Sequence, residues 1–138
     1  EIHYQDAVEI LTVMDQHNVF DLTDAVGAKN PGRALWLLRK MFNEGESENY
    51  ILSMLIFQLR LIARTKSLAE KGLNQQEIIN KAGVHPYPAR KALQQSRNFS
   101  LNGIIHALEK LAEADVAIKL GGGKAGTILE KTIFELCS

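Results

Sequence analysis

The stretch SENYILSMLIFQLRLIARTKSLAE, residues 47–70, decides the fold of this chain of 138 residues. Its opening Ser47 is a residue type that caps helix N-termini, and apolar side chains then fall on almost every face of the helix it predicts, about residues 48–70. A helix that is apolar all round is usually surrounded by other elements. We therefore expect this helix to lie at the centre of the domain.

Helix signals recur on the N-terminal side of this stretch. The apolar spacing predicts short amphipathic helices over residues 6–14 and 18–27, with Asn18 as the cap of the second. Asn30 then caps a third helix with Pro31 in its first position, where the missing N–H costs nothing. Strand signals are nearly absent.

Two shorter helices are expected directly after the central one. Asn74 and Glu77 match a capping box at the start of the first, which ends at Gly83. Pro86 and Pro88 then restrict where the second can begin.

The last two predicted helices flank a glycine-rich stretch. Ser100 caps the first of them, which continues to about Lys119. Thr127 and Glu130 match a capping box at the start of the second, which ends near Leu136. With about eight helices, the chain is expected to form a compact all-α bundle.

The composition excludes several function classes. Sixteen Lys and Arg residues balance sixteen Asp and Glu residues, so the net charge gives no attraction to nucleic acid or to an anionic membrane. A single cysteine, Cys137, excludes an internal disulfide framework and a cysteine-based zinc site, and it fits a reducing, cytoplasmic setting. No segment has the length and apolar content of a transmembrane helix. Because the chain begins at Glu1 without a methionine, we expect it to be a piece of a longer protein.

The stretch IKLGGGKAGTILEK, residues 118–131, has the glycines and the lysine of a phosphate-binding loop but not their order. In such a loop a strand leads into the turn, and Gly-Lys-Ser/Thr opens a helix. Here Lys124 precedes Ala125, and the residues before the glycines have helical spacing. The stretch is therefore expected to be a flexible connection between two helices.

Catalytic and metal-binding patterns are equally weak. The four histidines include no H-x-x-x-H pair, and no Asp or Glu accompanies two of them at ligand spacing. Ser47 and Ser100 stand at helix starts, where capping is a far commoner role than nucleophilic catalysis. The residues thus favour a non-enzymatic domain without a cofactor or a metal.

Residues 75–97 have the order of a DNA-binding helix-turn-helix, with a glycine turn between two helices. Three basic residues that could contact a DNA backbone lie nearby: Arg90, Lys91 and Arg97. However, the bulky Ile79 occupies the position where such helices cross at a small residue, and Pro86 and Pro88 stand where side chains would reach bases. A contact with the DNA backbone alone is thus the stronger form of this hypothesis.

One acidic residue, Asp115, falls on an apolar stripe of the helix that follows Ser100. The stripe is formed by Leu101, Ile104, Leu108, Leu111 and Ile118. A carboxylate on an apolar face usually has a partner. Lys119 stands four residues later, in the favourable order for an exposed pair worth about 0.2–0.5 kcal/mol. The alternative partner is a cation from a neighbouring helix, such as Arg60 or Arg97.

Four stretches of the chain, taken in order, resemble one protein family. They are VFDLTDAVGAKNPGRALWLLRKMFNEGES (19–47), ILSMLIFQLRLIARTKSL (51–68), GVHPYPARKALQQSRNFS (83–100) and LEKLAEADVAIKLG (108–121). Their succession is similar to the C-terminal part of the delta subunit of the bacterial DNA polymerase III clamp loader, and the resemblance covers essentially the whole chain.

The resemblance implies a clamp-loader collar fold and a role in subunit assembly. Residues 1–16 would be the end of the lid domain or the connection from it, and residues 17–138 would be the helical collar. In that family the collar joins those of the motor (gamma/tau) and delta-prime subunits in a ring of five. The sliding clamp is gripped by an N-terminal domain absent from this sequence, so the implied contact with DNA is indirect, and none is implied with a membrane.

The resemblance also suggests contact residues for that assembly. They are Arg60, Arg64 and Lys66 on the central helix, then Arg97 and the final helix, with Asp115 and Lys119 as further interface or structural polar residues. Apolar and Arg-rich faces buried against sister collars would hold the ring together. A helical nucleic-acid-binding module that uses residues 75–97 is the alternative function, and a small helical enzyme or ligand carrier is the third.

Overall fold

The structure, a computed structural model, describes residues 18–138, and this part of the chain consists of α-helices and short connections. The helices are α1 over residues 18–27, α2 (Pro31–Asn43), α3 (Glu48–Glu70), α4 (Gln75–Lys81), α5 (Pro86–Gln95), α6 (Leu101–Lys119) and α7 (Ala125–Leu136), with a 3-10 turn, Ser96–Asn98, after α5. The all-α class is confirmed, together with the seven predicted helices that fall within residues 18–138. The predicted helix over residues 6–14 and the domain boundary near residue 16 lie outside the described residues.

Helix α3 lies at the centre, as its sequence predicts. It packs against α4, α5, α6 and α7. Its buried side chains are Ile51, Leu52, Leu55, Gln58, Leu59, Leu61, Ile62 and Thr65. Because full burial of one Leu or Ile side chain contributes about 1.5–3 kcal/mol, this helix makes a large contribution to the core.

The predicted caps set four of the helix starts. Ser47 and Ser100 each accept a hydrogen bond from the N–H three residues later, at 3.0 and 2.9 Å. Asn74 and Glu77 form the complete capping box of α4, and the side chain of Asn30 caps α2. A cap of this kind stabilises a helix by about 1 kcal/mol, so these starts are specified locally.

The predicted cap at Asn18 is wrong. Asn18 is itself helical, and its side chain bonds to the far end of α2. Its amide donates to Glu44 Oε1 at 3.0 Å, and its Oδ1 accepts from Lys40 Nζ at 3.3 Å. The side chain that could have capped α1 therefore joins α1 to α2.

The capping box predicted at Thr127 and Glu130 is also wrong. Helix α7 begins at Ala125, before either residue, and no side chain of the described residues caps it. The preceding glycines reverse the chain within a few residues, with Gly123 at a φ of 144°, so the helix starts as soon as the turn is complete. Glu130 instead lies inside α7 and pairs with Arg39 of α2 at 3.3 Å.

The apolar stripe predicted for α6 is rotated relative to the buried face. The buried residues of this helix are Ile104, Ala107, Leu111 and Ala114. Leu101 is exposed, and Leu108 and Ile118 are only half-buried. Small alanines on the buried face let α6 pack against both α3 and α7, which leaves larger apolar side chains on its outer side.

Helices α2 and α7 pack side by side in opposite directions. Near the start of α7, a Cβ placed on Gly126 would lie 3.7 Å from Phe42 at the end of α2. Near the end of α7, the Leu136 carbonyl accepts from Lys29 Nζ, just before α2, at 3.4 Å. The pair Arg39–Glu130 lies between these two contacts.

Candidate functional site

The three basic residues proposed on α3 lie in two different places. Arg60 and Arg64 are exposed and one turn apart, on the same side as Phe57, whose side chain is 38% exposed. Lys66 is half-buried on another side of the helix. The structure therefore brings Arg60 and Arg64 together and separates them from Lys66.

Two of these basic residues bond to the ends of other helices. Arg64 donates to the carbonyl of Lys81 at the end of α4, at 3.0 Å. Lys66 donates to the carbonyl of Ser96 at the end of α5, at 3.3 Å. Cations at helix C-termini stabilise carbonyls that have no partner inside the helix. Arg60 makes no comparable bond within residues 18–138, so it is the one most available to a partner.

The basic residues proposed for a DNA contact are also spread apart. Arg90 and Arg97 are exposed and make no ion pair with any described residue, whereas Lys91 is half-buried. The first turn of α5, which would have to enter a groove of DNA, packs inward. There the ring of Tyr87 meets that of Phe20 edge to face, with centroids 5.4 Å apart.

Asp115 pairs with Lys119, its neighbour on the same helix, at 3.0 Å. The side chains are 30% and 67% exposed, so the pair is largely solvated. In the part of the chain that the structure describes, Asp115 makes no ion pair with Arg60 or Arg97, and the predicted partner on a neighbouring helix is wrong. The rotation of α6 explains this, because it places Asp115 beside the buried face rather than within it.

The glycine-rich stretch forms a turn between α6 and α7, which confirms its predicted role as a connection. Gly122 donates its N–H to the Ala117 carbonyl at 2.8 Å, and Gly121 donates to Ile118 at 3.2 Å. These N–H groups are thus used within the turn rather than directed at a phosphate. Lys124 lies exposed at the position before α7.

A buried polar cluster that sequence reasoning missed joins α1, α3 and α5. Gln58 and Gln95 are 1% and 2% exposed. Gln58 Nε2 donates to Gln95 Oε1 at 2.9 Å, and Gln95 Nε2 donates to Asp24 Oδ1 at 2.9 Å and to the Phe20 carbonyl at 3.1 Å. The available signal was Gln58 itself, a lone amide within an otherwise apolar run. Because the hydrogen bonds connect three helices, the cluster aligns them.

Metal-ligating and nucleophilic groups are sparse in the described part of the chain. Residues 18–138 contain no group of three or more His, Cys, Asp or Glu side chains arranged to hold a metal ion. Cys137 is buried, and burial raises the pKa of its thiol, an effect that the positive charge of Lys29 opposes. A thiol that stays protonated is a poor nucleophile. Within the same residues, no helix is both long enough and apolar enough to span a membrane.

The largest exposed aromatic side chains lie on α2 and α7. Trp36 is 56% exposed and Phe134 is 52% exposed. The guanidinium of Arg33 lies 5.4 Å from the centroid of the Trp36 ring. The helical period of α2 could have identified Trp36 as exposed. The buried residues of α2 are Ala34, Leu37, Leu38 and Met41, and at about 100° per residue Trp36 falls on the opposite side of the helix.

The outer side of α6 carries a second set of exposed apolar residues. They are Leu101, Ile105, Val116 and Leu120. Leu101 and Ile105 are four residues apart near the start of α6, Val116 and Leu120 are four residues apart near its end, and the helical period places both pairs along one side of the helix. Apolar side chains that share one exposed side of a helix indicate an interaction site more strongly than apolar residues scattered singly do.

Comparisons with known proteins agree with one another. Residues 16–136 match the model of the family described as DNA polymerase III delta subunit, C-terminal domain. The chain is 27% identical over 136 residues to the DNA polymerase III subunit delta of Bacillus subtilis (strain 168). This alignment covers 99% of the chain and 39% of that relative. It is also similar to the solved Bacillus subtilis DNA clamp loader delta protein, with a TM-score of 0.80 and 28% identity over 87% of this chain and 35% of that one. The chain thus spans well under half the length of both relatives.

Proposed function

Because the chain belongs to the family of C-terminal domains of the DNA polymerase III delta subunit, we propose that it is the collar through which a clamp-loader delta subunit assembles with its sister subunits. The work of the domain is then protein–protein binding rather than catalysis. It would hold the subunits in a ring that loads the sliding clamp onto primed DNA during replication. Since bacterial DNA replication takes place in the cytoplasm, we propose the same location for this domain.

One observation carries this proposal: large apolar side chains remain uncovered on both α2 and α6. Trp36 on α2 and Val116 on α6 are each more than half exposed. The inner faces of α2 and α6 both pack against α7, so their outer faces point away from a common neighbour. Such surfaces favour burial against other proteins.

Two different surfaces are what a ring requires. A subunit in a closed ring of unlike neighbours uses one surface on each side, in a heterologous contact. An isologous dimer needs only one. The separate apolar surfaces of α2 and α6 therefore fit a collar with two neighbours better than they fit a symmetric dimer.

The proposed partners are the motor (gamma/tau) and delta-prime subunits. Contact with the sliding clamp is assigned to the part of a delta subunit outside this sequence. Of the basic residues suggested for assembly, we keep Arg60 as the leading candidate on α3. Arg64 and Lys66 support it with less weight, because each already bonds to a carbonyl of another helix.

Light scattering on a sizing column tests the proposal. The domain would be run alone and then mixed with the motor and delta-prime subunits. We expect a heavier species in the mixture and none in a matched mixture with an unrelated protein. A domain that stays monomeric beside both subunits would contradict the assembly function.

A contact with the DNA backbone is the second candidate function. It is favoured by Arg90 and Arg97, which are exposed and have no acidic partner among the described residues. A fluorescence titration with primed DNA, repeated at several salt concentrations, would test it. Binding through these residues should weaken as salt rises, and the double substitution Arg90→Gln with Arg97→Gln should reduce the salt dependence. Affinity that ignores both salt and the substitutions would exclude this contact.

A further inference from the structure

Trp36 and Phe134 lie on one surface, although they come from different helices. Arg39 and Glu130 meet across the contact between α2 and α7, with Nε and Oε2 3.3 Å apart. Trp36 stands one turn from Arg39 toward the start of α2, and Phe134 stands one turn from Glu130 toward the end of α7. Because the two helices are antiparallel, both steps lead to the same end of the pair. We call the surface formed by Arg33, Trp36, Arg39, Glu130 and Phe134 the aromatic face.

A shallow depression beside Trp36 could receive a side chain of a partner. Its other walls are formed by Arg39, Lys40, Asn43 and Glu44. Lys40 and Glu44 pair with each other at 2.9 Å, so these two charges are already balanced. The aromatic ring and the stems of the long side chains leave the depression with an apolar wall and a polar edge.

The charge of the aromatic face is positive. Arg33 and Arg39 contribute two positive charges, and Glu130, paired with Arg39, contributes one negative charge. Arg33 makes no ion pair with any residue between 18 and 138 and lies over the Trp36 ring instead. This leaves one guanidinium beside exposed aromatic surface without a carboxylate partner.

Tryptophan and arginine are the residue types most enriched among those that dominate protein–protein binding energy. Aromatic side chains bury a large area with few rotatable bonds, so they lose little entropy when a partner covers them. The contact between Arg33 and Trp36 further restricts both side chains before binding. The aromatic face is therefore prepared for a partner that supplies apolar surface and a negative charge.

We propose that the aromatic face binds an acidic surface of a neighbouring clamp-loader subunit. An apolar side chain of that subunit packs on Trp36 and Phe134, and a carboxylate of the same subunit pairs with Arg33. This inference rests on the proposed assembly function and adds which surface is used and what chemistry recognises it. None of the residues first suggested for assembly on α3 is part of this face.

The charge pattern selects this occupant over two others. A second copy of the chain docked about a two-fold axis would set this net positive face against an identical positive face, and like charges in contact disfavour such a pair. A nucleic acid strand needs a row of cations that follows its phosphates. Here a carboxylate lies within the face, and the whole chain carries no net charge.

Trp36 is the only tryptophan in the sequence, so it can report on this face directly. The domain would be labelled with 5-fluorotryptophan and titrated with the motor and delta-prime subunits, each unlabelled, while the fluorine resonance is followed. We expect the resonance to shift with one of these subunits and not with a single-stranded oligonucleotide. A shift with the oligonucleotide, or with rising concentration of the domain alone, would overturn the choice of partner.

Substitutions then test the energetics of the same contact. Trp36→Ala and the charge reversal Arg33→Glu should each weaken binding about 30-fold or more, as expected for residues that dominate an interface. Gln76→Ala, which changes an exposed side chain of α4 away from the proposed contact residues, should leave the affinity unchanged. Thermal melting of each variant would establish that the domain stays folded, which we expect because both positions on α2 are exposed.

The outcomes separate this inference from the function on which it rests. If the unsubstituted domain fails to bind both subunits, the assembly function and this inference fail together. If it binds and the Trp36→Ala and Arg33→Glu variants bind equally well, the assembly function stands and the aromatic face is not the contact.

Discussion

The side of the molecule formed by α3, α4 and α5 uses its polar side chains internally, whereas the side formed by α2 and α7 leaves its largest aromatic side chains exposed. On the first side, Gln58 and Gln95 are buried and bonded to each other, and Arg64 bonds to the end of α4. On the second side, Trp36 and Phe134 are more than half exposed. Exposure and chemical type are thus inverted relative to a simple inside–outside rule.

This contrast teaches that charge alone is a poor guide to a binding surface. Arg64 and Lys66 look like interface residues in the sequence, yet both bond to carbonyls within the same domain. Trp36 stands within the apolar run ALWLL, residues 34–38, yet its side chain is more than half exposed. The residues most available to a partner are those that make the fewest contacts within their own domain.

The largest effect is expected when Gln95 is replaced. Gln95→Leu removes the acceptor for Gln58 and the donor to Asp24, and it should lower the free energy of unfolding by about 2–4 kcal/mol, because buried polar groups would lose their partners. Urea denaturation would measure this. The matched Trp36→Ala variant on the other side should lose about 1 kcal/mol or less, because its side chain is exposed. Equal losses of unfolding free energy at Gln95 and Trp36 would contradict the difference drawn between the two sides of the molecule.

The double variant Gln58→Leu with Gln95→Leu sharpens the same point. It should be less destabilised than the sum of the single variants, because no glutamine remains buried without the other. No group within residues 18–138 donates a hydrogen bond to Gln58 Oε1, which should reduce the cost of removing this side chain. Simple additivity in a double-mutant cycle would show that the two amides do not act together.

A smaller effect is expected at Arg64. Arg64→Met should cost about 0.5–1.5 kcal/mol, because the carbonyl of Lys81 at the end of α4 would lose its hydrogen bond. Arg60→Met, one turn away, should stay within about 0.5 kcal/mol of the unsubstituted domain. Chemical denaturation gives both values, and hydrogen exchange would locate the loss in α4. If Arg60→Met were the more destabilising, Arg60 would have an internal role like that of Arg64.

The ion pair between α2 and α7 should contribute less to the stability of the domain than Arg64 does. Arg39 and Glu130 are linked at 3.3 Å, with side chains 64% and 35% exposed. A double-mutant cycle with Arg39→Met and Glu130→Gln should give a coupling of about 0.2–1 kcal/mol that shrinks in high salt. A coupling that does not change with salt concentration would mean that a buried charge pair joins α2 and α7, as the buried amides of Gln58 and Gln95 join α3 and α5.

The smallest effect is expected at Asp115. Asp115→Asn removes an exposed pair with Lys119 and should cost about 0.2–0.5 kcal/mol, which lowers the melting temperature by about 1–2 °C in a domain of this size. Thermal unfolding followed by circular dichroism would measure it. A fall of several degrees would instead support a partner on another helix.

Much of the fold could be predicted because its signals are local. Ser47, Ser100 and Asn30 each start a helix through a hydrogen bond to an N–H three residues away, and such a bond depends on few other residues. The glycine-rich turn was likewise identified from its spacing. The predicted start of α7 was wrong although Thr127 and Glu130 fit the local pattern of a capping box. The turn at the preceding glycines ends early enough for the helix to begin at Ala125.

The candidate site was less predictable for the same physical reason. Asp115 and Lys119 are neighbours on one helix, and their pairing could be stated in advance. Glu130 meets a residue 91 positions away, and Gln95 meets one 71 positions away. No local pattern encodes such a meeting.

The amino-acid sequence by itself determined the all-α class, the helices within residues 18–138, the central place of α3 and the resemblance to the delta-subunit family. These follow from hydrophobic period and from capping bonds between near neighbours. Only the tertiary structure decided that Asn18 would join α2, that α6 would turn its alanines inward, and that Trp36 and Phe134 would share one exposed surface. Each of these depends on how whole helices pack, and the packing is set by many distant side chains at once.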